Sequence, residues 1–441
     1  MARFSIPQAV LNSNITMRKA RGQKMNTDFG GVPVFLMAWD TLGMDKIVTS
    51  SGILRQGIPA EKLTFAAVFK CVSGSSSNAS FENSSSDPAF AKVCGLDHID
   101  QVTLSRFMND DRYDWTDLLA HTVQALSSYP AFAPKSSGYL VIDDTILDKS
   151  GKKMDKVKKL KDPSTNRYVI GYNLVNLIYA EPGRYYPIGF EYRVFEDGEP
   201  TKPELAAGLI RKAIRQGFRQ MVIFDSAYFC KEITTLLDKT GLPWVGKCKS
   251  NRVFYYNGKE MSASEIARSL PRKMFRRHKK YRDIRYASVR AILPGHGPVR
   301  LVVCENFRED EPENESVEVK YIVSSSPELK GSKIIGIYKM RWKVECYHRS
   351  AKQTLGLKKY HGRKYRGLVA HTTMVCIAYI LVELLKVLLP SLSEETLGSI
   401  VETLIQYSTR ISIRDGRLTV LVHSDFAHPK ALRQFQLARA G

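Results

Sequence analysis

Three acids in this chain stand where apolar runs stop or where a helical stretch turns. Asp143 ends the run Tyr-Leu-Val-Ile and is followed by Asp144 and Thr145; Asp225 ends the run Met-Val-Ile-Phe; Glu345 lies inside a long helical pattern. Short apolar runs of this kind read as buried strands, and the carboxyl ends of strands in an α/β sheet are where ligand groups gather. Two acids there face one another across adjacent strands, and a carboxylate on a helix packed over the same edge completes a triad. Such a cluster repels itself unless cations sit in it, and hard oxygen donors select Mg²⁺ or Mn²⁺. Two ions about 4 Å apart activate a water or a 3′-hydroxyl and stabilise the leaving oxygen of a phosphodiester in line. The residues alone therefore point to metal-dependent phosphodiester chemistry on a nucleic acid. Taken singly, an Asp that ends a strand more often begins a turn or caps a helix.

The stretch around Glu345 shifts that balance. Tyr338, Arg341, Glu345 and Lys352 follow one another at spacings of 3, 4 and 7 residues. On a continuous helix at about 100° per residue their azimuths are about 0°, 300°, 340° and 320°, one narrow face. An ordinary amphipathic helix buries apolar groups on such a stripe; this one presents an acid, two cations and a phenol. Arg341 and Lys352 can hold phosphates, the first by a planar two-point contact and the second as a point charge. Tyr338 can orient an acid or a phosphate through its hydroxyl. The plainer role for Arg341 is an ion pair with an acid that holds the helix in place. His348 borders the face and reads as a packed or solvent-facing residue. Of Asp143 and Asp144, neighbours on a strand, only one can point into the site.

These positions resemble the DDE transposases of the insertion sequence 4 group, whose glutamate helix carries Y-x2-R-x3-E-x6-K. Here the chain reads Tyr338-Lys-Met-Arg341-Trp-Lys-Val-Glu345, then six residues, then Lys352. The family's D-x-T/S motif falls on Asp143-Asp144-Thr145, which favours Asp143 over Asp144, and its second acid falls on Asp225. The resemblance implies that Asp143, Asp225 and Glu345 are catalytic and hold two Mg²⁺ or Mn²⁺ ions. It also implies an RNase H-like catalytic core with a β-rich insertion, for which the 120-residue step from Asp225 to Glu345 leaves room. The implied activity is DNA transposition: a homodimer binds the terminal inverted repeats of a mobile element in double-stranded DNA, cleaves them by two-metal hydrolysis and joins them to target DNA by strand transfer. The implied setting is a prokaryotic cytoplasm, on the nucleoid. An RNase H-like nuclease or junction resolvase, and a catalytically dead DNA-binding regulator, are the alternatives.

Composition agrees with a polyanionic partner. The chain has 441 residues, 44% hydrophobic and 25% charged, which excludes a disordered or collagen-like chain and leaves room for about three domains. Lys and Arg total 66 against 44 Asp and Glu, a formal charge of +22, so nucleic acid is the first partner to consider. The apolar stretch Met374 to Leu389 is interrupted by Glu383 and Lys386 and closed by Pro390; it falls short of the ~20 residues a membrane span needs and reads as a core helix, with no membrane partner. Seven cysteines include no C-x-x-C pair, which signals neither zinc nor a disulfide framework and suits a reducing, cytosolic setting. The first 27 residues carry Arg3, Arg18, Lys19, Arg21 and Lys24 with no acid, a basic arm or a solvated terminus.

The elements that must position the acids follow from periodicity. Residues 1–130 read as a helical DNA-binding region, with helices near 61–72, 88–94, 101–108 and 115–126 and a Ser/Asn-rich loop over 73–86. The segment Gln101 to Asn109 is patterned like the recognition helix of a helix-turn-helix or like a plain amphipathic helix. Three strands and then strand-helix-strand alternation over 135–250 argue a mixed α/β layer, the first part of the catalytic domain. Residues 251–319 read as the β-rich insertion, with a hairpin around Gly295-His296-Gly297 and an acidic loop from Glu305 to Glu315. Residues 320–360 supply the second part of the catalytic domain, with one long helix over about 330–355, and 361–441 form a helical C-terminal region. Basic segments at 149–161, which include Lys156, Lys158 and Lys159, at 272–285 and at 358–366 flank this core. Phosphate contacts that position DNA, or plain solvated faces, account for them. Trp244 and Trp342 sit in apolar patterns and read as core.

Overall fold

The computed structural model describes residues 15–19, 31–85, 87, 90, 96, 98–151, 153–162, 165–306, 319–406, 409–414 and 417–422. Most of the basic N-terminal arm, most of the stretch 88–94 and the acidic loop beyond Asn306 lie outside the described residues. The chain divides into two compact units: Met1–Ala133 with Leu147–Gly171 and His348–Gly441, and Pro134–Ile146 with Tyr172–Tyr347. The helical N- and C-terminal regions, expected to be separate, thus fall in one unit.

The first unit is not helical throughout: Ile15–Lys19, Arg417–Val422 and Thr409–Arg414 form a three-stranded sheet, so the C-terminal region expected to be helical ends in two strands. The second unit carries the larger sheet. Its strands are β1 (Tyr139–Asp148), β2 (Arg167–Glu181), β3 (Arg184–Arg193), β4 (Met221–Phe224), β5 (Trp244–Cys248), β6 (Val253–Tyr256), β7 (Lys259–Ser262), β8 (Arg285–Leu293), β9 (Gly297–Glu305) and β10 (Lys320–Ser324). The unit boundary leaves the ends of β1 and β2, Leu147 to Asp148 and Arg167 to Gly171, in the other unit. The hydrogen-bonded order is β3-β2-β1-β4-β5-β10-β9-β8-β6-β7. β1, β4 and β5 are parallel; β2 with β3, and β5 through β10 and β9 to β8, are antiparallel. Leu140, Val141 and Ile142 in β1 and Val222, Ile223 and Phe224 in β4 are buried without alternation, as central strands covered on both faces must be. The stretch expected to form a β-rich insertion supplies β6 to β9. These strands prolong the central sheet, because β10 pairs with β5 and β9 with β10.

The helices of this unit are α1 (Lys202–Arg215), α2 (Lys231–Thr240), α3 (Gly331–Tyr338) and the first half of α4 (Trp342–Gln353), whose residues from His348 on fall in the other unit, with a short helix over Ala263–Ser269. A capping box of Thr201 and Glu204 starts α1, and its stripe of Ala206, Leu209, Ile210 and Ala213 is buried. α1 packs on β3 and on α2, and α3 packs on β5, β8, β9 and β10. Phe224 in β4 lies opposite Gly246 in β5, and a Cβ on Gly246 would collide with the Phe224 ring. Only glycine lets these two strands close at that point.

The predicted single helix over 330–355 is two helices joined by a 3-10 turn at Lys339–Arg341. A 3-10 turn advances about 120° per residue rather than 100°, so three residues displace Tyr338 by roughly 60° from its place on one continuous helix. That displacement brings Tyr338 into eclipse with Arg341, three residues on, so the phenol stays on the side of the guanidinium.

In the other unit, the helix Tyr365–Leu388 is packed by Val32–Leu42, Ala60–Val72, Gln101–Met108 and Trp115–Ser127. At 24 residues it is longer than the apolar stretch seen in the sequence, and by length and composition it is long enough to cross a membrane. From Leu368 to Leu385 every residue but Val369 is buried, including the polar Thr372, Thr373 and Glu383. Phe35, Trp39, Phe65 and Phe69 form an aromatic core beside it. The expected loop over 73–86 contains a helix, Asn78–Ser85. Ser77 accepts from the Ser80 N–H at its start, and Phe81, fully buried against Phe90, anchors it. One aromatic outweighs the loop-forming composition around it.

Candidate active site

Strand register brings the site together. Val141 lies opposite Ile223 and Ile142 opposite Phe224; on the other side of β4, Ile223 lies opposite Val245 and Phe224 opposite Gly246. The next residues along the three strands are Asp143, Asp225 and Lys247. Asp225 keeps an extended backbone, φ −83° and ψ 173°. The three side chains thus occupy one level, separated by the interstrand spacing of about 4.8 Å and directed to one face by the pleat.

Glu345 reaches this row from the first turn of α4. The Arg341 guanidinium, at the end of the 3-10 turn, donates through Nη1 to Asp143 Oδ2 and through Nη2 to Glu345 Oε1. Its side chain is only 6% exposed, against 16% for Asp143 and 28% for Glu345. Tyr338 is buried beneath it, with the guanidinium carbon 6.0 Å from the ring centroid. On Asp225, Lys247 Nζ stands 3.1 Å from Oδ1. That oxygen is nevertheless buried without a hydrogen bond among the described residues, so the pair is an ionic contact off the hydrogen-bonding direction.

The electrostatics differ along the row. Burial pushes the Asp143 carboxyl up to about 7; Arg341 opposes this, and the charges of Asp144 and Asp225 add to it. Burial works against Asp225 as well, but Lys247, the Ser226 N–H and Arg341 outweigh it and hold its pKa below the ordinary carboxylate value. Asp144 points the other way, with both oxygens engaged. Its Oδ1 accepts from Tyr228 Oη at 3.0 Å, and its Oδ2 accepts from Asn173 Nδ2 at 2.7 Å and Lys202 Nζ at 2.6 Å. Burial, then the nearby Asp144, Asp143 and Asp225 charges, raise the Tyr228 phenol well above its usual pKa, so it remains a donor.

Among the described residues, no three His, Cys, Asp or Glu side chains converge as a ready metal cage. Arg341 stands between two of the three acids. The donor chemistry still suits a hard divalent cation: the carboxylates are clustered and half-buried, and Asp225 offers a buried oxygen that no hydrogen bond uses. Asp143, Asp225 and Glu345 are the residues that would hold it.

Residues 134–381 match the transposase DDE domain family. The chain belongs to that family. It is therefore a transposase, of a class that acts on DNA with divalent metal ions. No curated protein matches it by sequence. Among solved structures, a cryo-EM structure of the piggyBac transposase synaptic complex with hairpin DNA is similar at a TM-score of 0.45 and 13% identity, covering 78% of this chain and 70% of that one.

The remaining predicted residues of this transposase are dispersed. Lys352, near the end of α4, falls in the helical unit, where burial first and Lys358 second lower its pKa and Asp148 and Asp162 oppose them. Lys158 and Lys159 are exposed on the strand Lys158–Asp162, and as strand neighbours they point to opposite faces. Lys159 Nζ lies over the exposed Tyr168 ring, and Lys156, in the left-handed region at φ 59°, lies over Tyr365. Asp148 pairs with Lys358 at 2.5 Å. Arg272, Lys273, Arg276, Arg277, Lys279, Lys280 and Arg282 are all exposed. Trp244 is enclosed by Phe224 and Phe229, and His348 is buried. Sequence reasoning missed Lys247, Tyr228, Asn173 and Lys202. For Lys247 a signal existed: it follows the apolar strand start Trp-Val-Gly much as Asp225 follows Met-Val-Ile-Phe.

Proposed function

We propose that this transposase is a cut-and-paste enzyme of the insertion sequence 4 group on an RNase H-like core. It binds the terminal inverted repeats of its element as a homodimer, cleaves them and joins the ends to target DNA. The observation that carries the reading is the placement of Asp143 and Asp225 at one level on adjacent parallel strands, with Glu345 tied to Asp143 through Arg341. Two Mg²⁺ or Mn²⁺ ions, when bound, supply the activated oxygen nucleophile and charge neutralisation at the phosphodiester. Asp143, Asp225 and Glu345 hold them, while Asp144, fixed by Tyr228, Asn173 and Lys202, locks the middle of β1 so that Asp143 faces the row. Arg341 and Lys352 hold DNA phosphates, with Tyr338 buttressing Arg341. Lys156, Lys158 and Lys159 position the duplex without reading sequence.

The test uses the full chain with DNA carrying the element ends. Asp143→Asn, Asp225→Asn and Glu345→Gln, singly, abolish Mg²⁺-dependent cleavage while DNA binding persists. Full cleavage by Asp225→Asn would sink the site assignment. Cleavage without joining would favour a nuclease or resolvase, and binding without cleavage by the unaltered chain would favour a regulator.

A further inference from the structure

We propose that Lys247 and Arg341 are the built-in counter-cations of the carboxylate row, and that Lys247 is a positioning residue which divalent cations displace from Asp225 when they bind. This rests on the metal-binding reading of Asp143, Asp225 and Glu345 given above.

Register makes Lys247 part of the row. It occupies on β5 the level that Asp225 occupies on β4 and Asp143 on β1. Only a basic side chain at that position puts a positive charge directly beside the second acid. In the contacts among the described residues, Lys247 meets Asp225, and Arg341 spans Asp143 and Glu345. Among the described residues the acids form no ready cage, and Arg341 stands between two of them. These pairings are the protein's own solution to placing like charges together in a half-buried site.

The two cations differ in how readily they can leave. Arg341 is almost fully buried and makes aligned two-point contacts. Lys247 is 23% exposed and stands beside an oxygen to which it makes no aligned hydrogen bond. An ammonium on a four-carbon stem, held chiefly by charge, can swing away at small cost. Asp144 shows the contrast within the same unit: Lys202 and two further donors engage both oxygens of that carboxylate. A divalent ion arriving at Asp225 would meet an ammonium within a few ångströms, a repulsion that weakens binding until the lysine moves. Once moved, the ammonium is free to meet the phosphate that the metal site receives.

The experiment measures Mn²⁺ affinity by electron paramagnetic resonance on the full chain without DNA, together with melting temperature in chelator and in Mn²⁺. Lys247→Met should bind Mn²⁺ roughly tenfold more tightly than the unaltered chain, because the competing charge is gone. It should also melt lower in chelator and gain more from Mn²⁺. Lys247→Arg should restore the weaker affinity. Lys247→Gln gives the same comparison should the Met variant fail to fold. A purely structural lysine would lower melting equally with and without Mn²⁺ and leave affinity unchanged, and that result overturns the proposal alone. Mn²⁺ binding that Asp225→Asn leaves intact in every variant overturns the metal-site reading as well.

Discussion

Asp143 shares its peptide bond with Asp144, yet the two carboxylates meet opposite surroundings. On one face of β1, Asp144 receives three donors at 2.6 to 3.0 Å and is chemically finished. On the other face, Asp143 accepts from the Asp144 N–H at 2.9 Å, shares one guanidinium with Glu345 and lies beside Asp225, whose Oδ1 accepts no hydrogen bond among the described residues. Pleating forces the split, since successive side chains leave opposite faces of a strand. The contrast separates an acid that holds structure from acids available for chemistry. Unmet capacity at a half-buried carboxylate, rather than mere burial or charge, marks the reactive side.

The largest expected effect falls on the reactive side. Asp225→Asn and Glu345→Gln should each cut Mg²⁺-dependent cleavage by about a thousandfold or more, since each removes a ligand from the two-ion site. Gel assays of cleavage and binding on one DNA substrate check this. On the finished side the readout changes from rate to stability. Asp144→Asn should keep cleavage within about tenfold, but lose about 1–3 kcal/mol by leaving Tyr228, Asn173 or Lys202 mismatched. Denaturant melts measure the loss; a stable but inactive Asp144→Asn protein would move the ligand to Asp144.

A subtler effect concerns pH. The folded-state pKa of Asp143 is raised from 3.8 to about 7. The native state therefore holds that proton more firmly than the unfolded chain, and the metal-free protein loses stability as pH rises between these values. Asp143→Asn should consequently be more stable than the unaltered chain at pH 8, by on the order of 2 kcal/mol, with the advantage gone by pH 4. Melting curves in chelator at both pH values test the sign. Asp225, with its depressed pKa, acts in the opposite sense: its stabilisation holds at neutral pH and fades in acid.

The smallest effect lies in the other unit. Neutralising Lys156, Lys158 and Lys159 together should reduce the log-log salt slope of DNA binding by about 0.9 for each phosphate that no longer meets a lysine. Because Lys158 and Lys159 leave opposite faces of their strand, single substitutions should divide unequally, one flattening the slope and the other not. Equal effects of the two would place DNA on both faces.

The legible parts of the site were those written in local pattern. Asp143 and Asp225 announce themselves by ending apolar runs, and Glu345 by its spacing from Arg341. The hairpin at Gly295-His296-Gly297 and the helix Gln101–Met108 follow equally from local signals. The failures came where tertiary contacts decide. A 3-10 turn interrupts the glutamate helix without any Pro or Gly to mark it. Lys247 joins the row through the pairing of β4 with β5, which no single-strand pattern reveals. The continuation of the sheet through β10 is likewise a pairing choice, and the helix Asn78–Ser85 depends on one phenylalanine finding another.

Gly246 carries a consequence for mutational tolerance. It bears no functional group, yet the Phe224 ring fills the space where its side chain would be. A single added methyl would wedge β4 from β5 at the level immediately before Asp225 and Lys247, and so misalign the two without altering any charge. A screen for inactive but expressed variants should return this position alongside the acids: the smallest hydrocarbon change in the sheet would have the phenotype of a catalytic lesion.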